Sequence, residues 1–409
     1  MSSNLWFDFL STTPLLIAAV TLLLRRRRHR SKATRPTVDL PTVHRLLLER
    51  YNLSSCKIQD LPSYDDLNFR IVTPTGQQYV FKFNLSNVQG KDLELENVAM
   101  QHLRNDAKDP SLFKYIPNVI STSDGNKTKM FTYQASSTRG HVYYVRLLTF
   151  MPGNVLANVP YALRTGELLS SVGELLGRCD RIFSKKSFPS EYIKIASERN
   201  HFWDLRNALK LQKWTHEVTD AQNRTLLESA FQLFESNVGN LLQNKSILRS
   251  QITHNDGNDH NIIVSESESK NQKIWSLVGL IDFGDIVYTN LINNLAIALA
   301  YCCCNPKYEQ DDRNGLNEYA RKTAIAIVSG YHSQMPLKKE ELDVVWWCMI
   351  GRICHSLASS SHRQKLEPEN KYLVISEAPF WQLLKAISIP SFEENGLIAR
   401  KEFERTCMV

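Results

Sequence analysis

The polar segment HNDGNDHN, residues 254–261, contains two aspartates, three asparagines and two histidines. A second acidic segment, IDFGD at 281–285, follows it along the chain. Carboxylate and amide oxygens are the hard ligands that Mg²⁺ prefers. A carboxylate beside a hydroxyl group can also act as a general base. These residue types therefore suit phosphoryl transfer to an alcohol, which needs metal ligands, cations at the phosphates and a base.

Five residues are predicted to carry that chemistry. Asp256 would be the base for the acceptor hydroxyl, and Asn261 and Asp282 would bind Mg²⁺. Upstream, Lys82 in the predicted strand YVFKFN would reach the α- and β-phosphates, and Glu96 on the next predicted helix would pair with it. The order Lys, Glu, Asp, Asn, Asp matches that of kinases. The H-x-D-x(4)-N spacing, followed by an apolar strand that ends in D-F-G, is more specific than any single residue.

Each of these residues also has a simpler interpretation. A lysine on a strand usually pairs on a surface and a helical glutamate is usually solvated, and Glu94 competes closely with Glu96 for the ion pair. His254 and His260 lie near carboxylates in the sequence, but no third soft ligand has a suitable spacing for zinc. We expect His254 to bond the loop backbone and to fix Asp256 instead.

The first part of the chain is predicted to form a small β-sheet with one helix. A short amphipathic helix at 41–51 precedes the sheet. The runs LNFRIVT and QYVFKFN, joined by the turn PTGQ, predict a hairpin. Helical spacing of apolar residues predicts the helix at 93–103, and KMFTYQA and HVYYVRLLTF predict two further strands. We assign this small, nucleotide-binding lobe to residues 36–150.

The second part of the chain is predicted to be mainly helical after a Pro/Gly break, MPGN at 151–154. Within 252–284, two short strands frame SESESKNQK, which we interpret as a polar hairpin tip. The predicted fold class is α+β: a bilobal protein-kinase-like fold with a small β-sheet N-lobe, a larger mainly helical C-lobe at 151–409 and an N-terminal hydrophobic anchor. The predicted helices of the C-lobe are 162–181, 222–243, 313–334, 340–359, 371–387 and a buried one in LAIALAYCCC.

Residues 1–35 form the predicted membrane-anchor segment and basic linker. LWFDFLSTTPLLIAAVTLLL, residues 5–24, is long enough as a helix to cross a hydrocarbon core of about 30 Å. The run RRRRHR follows this segment, whereas a cleaved signal peptide carries its positive charge before the apolar residues. The positive-inside rule then predicts a single-pass anchor with the body on the cytoplasmic face of a membrane. The alternatives are a mitochondrial targeting segment and a peripheral hydrophobic arm on a cytoplasmic protein.

The net charge argues against a nucleic-acid-binding protein, and the cysteine content indicates a reducing compartment. Of the net charge of +7, residues 1–35 carry +6, so the remaining body is near neutral and offers no broad basic face for nucleic acid. The eight cysteines show no CxxC pairing, which is typical of core thiols in a reducing compartment. Cys407 is third from the end, so it does not meet the four-residue prenylation pattern.

The motifs resemble those of the aminoglycoside phosphotransferase and choline kinase group of small-molecule kinases, because H-x-D-x(4)-N and IDFGD occur without H-R-D. The segments LPSYDDLNFRI, YVFKF, YVRLLTFMPG, HNDGNDHNI, IDFGD and RICHSLA…EPENKYL look like the hydroxylysine kinases within that group. The resemblance covers about residues 40–390. It implies a protein-kinase-like fold, Mg²⁺, and transfer of the γ-phosphoryl group of GTP to the hydroxyl of 5-hydroxy-L-lysine, giving 5-phosphohydroxylysine and GDP.

The resemblance also implies roles for two loops. Ser63, Asp65 and Asp66 stand where a phosphate-covering loop lies, although this loop has no glycine that would let its backbone approach phosphate freely. LLTFMPG would be the hinge whose backbone meets the purine, and nothing in it distinguishes guanine from adenine. The chain departs from the group's His-Gly-Asp triplet, because Asn255 replaces the glycine. Asparagine tolerates a left-handed backbone, so we expect the loop to form, with a reduced rate as the alternative outcome.

The charges of hydroxylysine suggest candidate substrate residues. Its α-carboxylate favours a forked arginine, for which Arg352 and Arg363 are candidates. Its ammonium groups favour acids or aromatic faces, for which Asp259, Asp285 and Trp203 are candidates. Each of the five would more commonly serve a helix surface or the core.

Two other functions remain open from the sequence. A kinase for another amino alcohol, such as choline, ethanolamine or an aminoglycoside, could use ATP and the same catalytic residues. A catalytically silent, membrane-anchored scaffold could keep the fold without the reaction. The joint presence of Asp256, Asn261 and Asp282 argues against the scaffold.

Overall fold

The computed structural model describes most of the chain, in two compact units. Of the described residues, those up to 85 and those within 122–146 form the first unit, and those within 90–121 and from 147 onward form the second. The predicted anchor and linker, and also Asp65, lie outside the described residues. The described residues are 36–63, 66–85, 90–125, 128–134, 141–184, 186–244, 246–269, 272–305, 312–366 and 376–407.

Strands and helices are numbered along the chain. The strands are β1 (Lys57–Leu61), β2 (Leu67–Val72), β3 (Gln78–Leu85), β4 (Val119–Ile120), β5 (Phe131–Gln134), β6 (Val142–Thr149), β7 (Asn154–Val155), β8 (Ser250–Thr253), β9 (Ile262–Ser269), β10 (Gln272–Leu280) and β11 (Val287–Asn290). The α-helices are α1 (Leu40–Tyr51), α2 (Gly90–Arg104), α3 (Gly166–Phe183), α4 (Ser190–Glu198), α5 (Ala221–Phe234), α6 (Asn240–Gln243), α7 (Leu291–Cys302), α8 (Arg313–Gln334), α9 (Lys339–Leu366), α10 (Glu377–Ile387) and α11 (Phe392–Cys407).

The sheet of the first unit runs in the order β1-β2-β3-β6, with β5 also paired to β6. The predicted hairpin is confirmed: β2 and β3 are antiparallel with Leu67 opposite Phe83, and their turn contains Gly76 at φ 84°. That φ is one that glycine adopts without steric cost. Successive side chains of a strand point to opposite faces, so Phe81 and Phe83 share a face and Lys82 points to the other.

Helices α3 and α8 of the second unit pack with their backbones in close contact. A Cβ atom added at Gly173 would lie 2.0 Å from the carbonyl oxygen of Ile327, and one at Gly330 would lie 2.0 Å from that of Ser170. Only glycine fits at such separations, although a helical glycine costs about 1 kcal/mol relative to alanine. The close approach brings together the polar side chains near the C-terminal ends of both helices.

One predicted feature differs from the structure. The run SESESKNQK is part of two strands, since β9 continues to Ser269, which pairs with Gln272 at the start of β10. The side chains of residues 266–268 are exposed, and such polar strands lack the apolar alternation by which a sequence indicates a strand. Helix α2 lies in the second unit, where it packs against α4, and the predicted lobe boundary at residue 150 stays a prediction.

All eight cysteines are free, and seven of them are buried. Burial raises the pKa of Cys302 to about 12, so its thiol stays protonated and unreactive at neutral pH. Within the ranges that the structure describes, no helix combines the length and the apolarity that crossing a membrane requires.

Candidate active site

Two loops of the second unit are brought together by two pairs of strands. Loop 254–261 connects β8 to β9, and loop 281–286 connects β10 to β11. β8 pairs with β11, and β9 pairs with β10, where Ile262 lies opposite Leu280. Each loop is therefore tied to the other at both of its ends, which fixes their separation.

His254 joins the two loops through its imidazole ring. The backbone N–H of Asp256 donates to Nδ1 of His254 at 3.3 Å, and Nε2 lies 3.1 Å from the carbonyl oxygen of Ile281. Burial lowers the pKa of His254 to about 4, so the ring is neutral at pH 7. A neutral imidazole has one acceptor and one donor nitrogen, so Nδ1 is the acceptor and Nε2 carries the proton.

The carboxylate of Asp256 is held at both oxygens. Asn258 Nδ2 donates to Oδ1 at 2.7 Å, and Asn261 Nδ2 donates to Oδ2 at 2.6 Å. Burial raises the pKa of Asp256, and the nearby guanidinium of Arg352 opposes that rise. The side chain keeps 19% of its surface exposed, so a small acceptor molecule can reach it. An oriented, partly exposed carboxylate is suited to accept a proton.

Two residues of these loops have left-handed backbones. Asn255 has φ 61° and Asp282 has φ 60°. The Asn255 side chain is buried, and neither of its amide atoms has a hydrogen-bond partner among the described residues. Arg199 fastens the second loop by donating to the carbonyl oxygens of Gly284 and Ile286, both at 2.7 Å.

The residues predicted to bind a metal fit Mg²⁺ by their chemistry. Both hydrogen bonds that the Asn261 amide nitrogen makes go to Asp256, at the carboxylate and at the backbone oxygen. The carbonyl end of that amide is thus available as a ligand, and Asp282 offers an exposed carboxylate on the neighbouring loop. Among the described residues, no three histidine, cysteine or acidic side chains gather into a metal-binding group. Mg²⁺ accepts two protein oxygens as ligands when phosphate oxygens and water molecules complete its coordination shell.

Arg352 is a buried cation beside Asp256. It is 2% exposed, and its Nη2 lies 4.0 Å from Asp256 Oδ1. It donates to the carbonyl oxygen of Trp203 at 3.3 Å and to the hydroxyl of Tyr301 at 3.4 Å, while its Nε has no partner among the described residues. A buried guanidinium with an unused donor is suited to an anionic group of a ligand.

Trp203 supports Arg352 instead of presenting a bare ring to an ammonium group. The guanidinium of Arg352 lies 4.7 Å from its ring centroid, and the imidazole of His355 stacks on it at 5.1 Å. Both contacts use the faces through which an aromatic ring attracts cations. The geometry therefore favours a role for Trp203 in positioning Arg352.

The other predicted substrate residues are placed differently from one another. Asp259 is buried and pairs with Arg164 at 3.5 Å, which favours a structural role. Asp285 lies 3.3 Å from His201, and its pKa is raised well above the ordinary value by burial and by the charges of neighbouring aspartates. Arg363 lies on α9 eleven residues after Arg352, a separation of about 16 Å along a helix. The structure therefore places Arg352, and not Arg363, beside Asp256.

In the first unit, the predicted nucleotide residues form a small cluster. Lys82 Nζ lies 3.4 Å from Asp66 Oδ2, and Asn84 donates to Asp66 Oδ1 at 2.7 Å. The Ser63 hydroxyl accepts from the backbone N–H of Asp66 at 3.2 Å. Glu96 is buried on α2 of the second unit, so its ion pair with Lys82 stays a prediction.

Several residues around the site were not predicted. Asn258 could have been noticed, since an asparagine two residues after an aspartate can hydrogen-bond it locally. Arg199, His201 and Tyr301 reach the site from other elements, far away in the sequence, and have no local motif.

This chain is similar to known kinases in sequence and to a solved kinase in fold. Hydroxylysine kinase of Bos taurus is 28% identical over 363 residues, covering 86% of this chain and 90% of the relative. Hydroxylysine kinase of Xenopus laevis is 29% identical over 367 residues, with 86% and 90% covered. An amicoumacin kinase solved with AMP-PNP, Ca²⁺ and Ami has a TM-score of 0.59 at 14% identity, covering 85% of this chain and 93% of that one.

The model of the phosphotransferase enzyme family matches residues 57–327, more than half of the chain. The chain belongs to that family. As the sequence predicted, this phosphotransferase has a kinase-like fold of mixed sheet and helices, with helix predominating. It is a kinase with an alcohol group as acceptor, and it is similar to hydroxylysine kinases over most of its length.

The backbone at Asn255 gives a prediction about stability. Asn255→Gly should be more stable than Asn255→Ala by about 1 kcal/mol, because a Cβ atom is unfavourable at positive φ. Urea denaturation of the two variants measures the difference. At Gly166, where φ is ordinary and a Cβ would meet nothing within 4 Å, alanine should instead be the more stable residue. Equal stability of the two Asn255 variants would contradict the left-handed conformation.

Proposed function

We propose that this phosphotransferase transfers the γ-phosphoryl group of GTP to the hydroxyl of 5-hydroxy-L-lysine, giving 5-phosphohydroxylysine and GDP. The observation that carries the proposal is the pairing of an oriented carboxylate with a buried guanidinium: Asp256 is held at both oxygens, and Arg352 lies 4.0 Å from it. The similarity to hydroxylysine kinases supports the choice of acceptor.

In the proposed reaction, Asp256 accepts the proton of the acceptor hydroxyl as the hydroxyl oxygen bonds to the γ-phosphorus. The bond between that phosphorus and the oxygen bridging it to the β-phosphate breaks, and the electron pair leaves with GDP. Asp256 must be ionised to act as base. Burial raises its pKa, so the rate should rise as pH increases through that raised value.

We propose a set of residues for the nucleotide and its metal ion. Mg²⁺, bound by Asn261 and Asp282, would neutralise charge on the phosphates. We propose that Lys82, paired with Asp66, contributes positive charge near the phosphates. The proposed nucleotide-binding residues are Ser63, Asp65, Asp66, Lys82 and Glu96. The preference for GTP over ATP rests on the resemblance to hydroxylysine kinases alone.

The acceptor would be recognised at its two charged ends. Arg352, which lies beside Asp256, would pair with the α-carboxylate. Hydroxylysine carries an ammonium group on the carbon next to its hydroxyl-bearing carbon, so that group must lie close to Asp256. Asp285 is the carboxylate that fits, because the negative charge of Asp256 contributes to its raised pKa. An ammonium group there would relieve the repulsion between the two carboxylates.

Asp256→Asn should lower kcat by about 10³-fold and leave nucleotide binding almost unchanged, because the base is lost while the metal ligands stay. Steady-state kinetics and nucleotide titration measure the two effects. Asp282→Ala is the matched variant: it should weaken binding of the Mg²⁺ nucleotide. If Asp256→Asn keeps more than a few per cent of the rate, Asp256 is not the base.

A panel of acceptors with GTP and with ATP tests the substrate. 5-Hydroxy-L-lysine with GTP should give the highest kcat/KM, and choline should fail because it has no carboxylate to meet the buried guanidinium. Faster turnover of choline, ethanolamine or an aminoglycoside would refute the acceptor and leave the kinase standing.

The variant Arg352→Gln, measured with the same panel of acceptors, tests whether Arg352 binds the carboxylate. It should raise KM for hydroxylysine at least tenfold and remove the preference for hydroxylysine over 1,5-diaminopentan-2-ol, which is hydroxylysine without its carboxylate. Arg363→Gln, on the same helix but about 16 Å away, should change neither quantity. An unchanged preference in Arg352→Gln would exclude this arginine as the carboxylate ligand.

We also propose that residues 5–24 anchor the protein to a membrane, with the body on the cytoplasmic face. The support is the length of this apolar run and the arginines that follow it. Deletion of residues 1–30 should move the protein from the membrane fraction to the supernatant and leave kcat unchanged, because every proposed site residue lies beyond residue 60. A full-length protein found in the supernatant after cell fractionation would disprove the anchor, and protection of the body from added protease would disprove its orientation.

A further inference from the structure

A buried chain of hydrogen bonds leads from α3 and α8 to the loop that contains Asp256. The hydroxyl of Tyr331 donates to Asp180 Oδ2 at 2.7 Å, and Asn294 Nδ2 donates to the same oxygen at 2.9 Å. Asn294 Oδ1 in turn accepts from the backbone N–H of Asn255 at 3.0 Å. Asp180, Asn294 and Asn255 are each fully buried.

The carboxylate of Asp180 determines which way the amide of Asn294 points. An ionised carboxylate accepts hydrogen bonds and donates none, so it requires the NH₂ end of the amide. The carbonyl end is then turned toward Asn255, whose backbone N–H is a donor. With the amide reversed, two donors would face each other at one end and two acceptors at the other, which is costly in a buried site.

The close packing of α3 and α8 makes this arrangement possible. Asp180 lies on α3 and Tyr331 on α8, near the point where Gly177 approaches the backbone of residue 331. A Cβ atom at Gly177 would lie 2.7 Å from the carbonyl oxygen of Tyr331, so a larger residue would push the helices apart.

We propose that Asp180 and Asn294 form a positioning relay that fixes the left-handed backbone at Asn255 and thereby orients Asp256. The relay rests on the proposed role of Asp256 as base, and it assigns a part in the reaction to two residues remote from the reacting atoms. Asn255 immediately precedes Asp256, and a rotation of its backbone would swing the carboxylate away from Asn258 and Asn261.

The relay is compatible with either protonation state of Asp180. Burial raises its pKa to about 7, while the hydrogen bonds from Tyr331 and Asn294 and the positive charge of Arg249 act in the opposite direction. Arg249 is itself paired with Glu341. Oδ1 of Asp180 has no hydrogen-bond partner among the described residues, so it can take a proton while Oδ2 goes on accepting.

The first test removes the acceptor for the Asn255 N–H. Asn294→Leu, which has the same number of side-chain heavy atoms, should lower kcat per folded molecule at least tenfold and leave both KM values within about threefold. Backbone hydrogen exchange in a peptide that contains residue 255 should become at least tenfold faster. Exchange reports on the relay even if the proposed substrate is wrong, so the two hypotheses fail separately.

The second test exchanges the two groups. In the double variant Asp180→Asn with Asn294→Asp, the new amide at 180 donates to the new carboxylate at 294, and that carboxylate accepts from the Asn255 N–H. This variant should return kcat to within threefold of the original protein and restore slow exchange. If the double variant has no higher kcat and no slower hydrogen exchange than Asn294→Leu, with both proteins folded, the relay is wrong.

A control separates positioning from a general loss of stability. Gln251 donates to the backbone oxygen of Asp180 at 2.7 Å and is also buried, but it takes no part in the relay. Gln251→Met should lower the melting temperature without lowering kcat per folded molecule. If Asn294→Leu behaves like Gln251→Met, its role is structural only and the proposal is wrong.

Discussion

The geometry of this site depends on the neutral imidazole of His254. One of its nitrogens accepts from the backbone of Asp256 and the other donates to the backbone of Ile281, so a single ring holds both loops. Burial keeps the ring neutral by lowering its pKa to about 4. Protonation would turn the accepting nitrogen into a donor and break the first bond. The proposed base and the proposed metal ligand therefore keep a fixed separation at neutral pH.

The clustered carboxylates repel one another, which lowers the stability of the fold and favours the binding of cations. Asp256 and Asp285 both have raised pKa values, caused first by burial and then in part by the other acidic groups nearby. Arg352 offsets some of this negative charge. A metal ion and an ammonium group would each reduce the remaining repulsion, so binding energy is available where the reaction needs charge. Perturbed pKa values gathered in this way are typical of functional sites.

Local signals predicted those parts of the molecule whose causes are local. The hairpin β2–β3 and the helix α8 follow from alternation, turn residues and helical spacing. Residues 266–268 are polar and exposed, so their composition is like that of a turn although they belong to a strand. The surroundings of Arg352 come from three separate elements, and no periodicity connects Trp203 with Tyr301. From the sequence, Arg352 and Arg363 were therefore equal candidates for binding the substrate carboxylate, and only the fold distinguishes them.

The conformation of the loop at Asn255 is determined by its surroundings and not by the side chain of that residue. Its φ of 61° suits glycine, and its buried amide makes no hydrogen bond among the described residues, so the side chain contributes nothing visible to holding the turn. The backbone N–H, in contrast, is held by Asn294. The turn is thus imposed by a partner from α7 and by the strands on either side, and the residue at 255 only has to tolerate it. Replacement of glycine by asparagine can then change the stability of this loop without changing the direction in which Asp256 points.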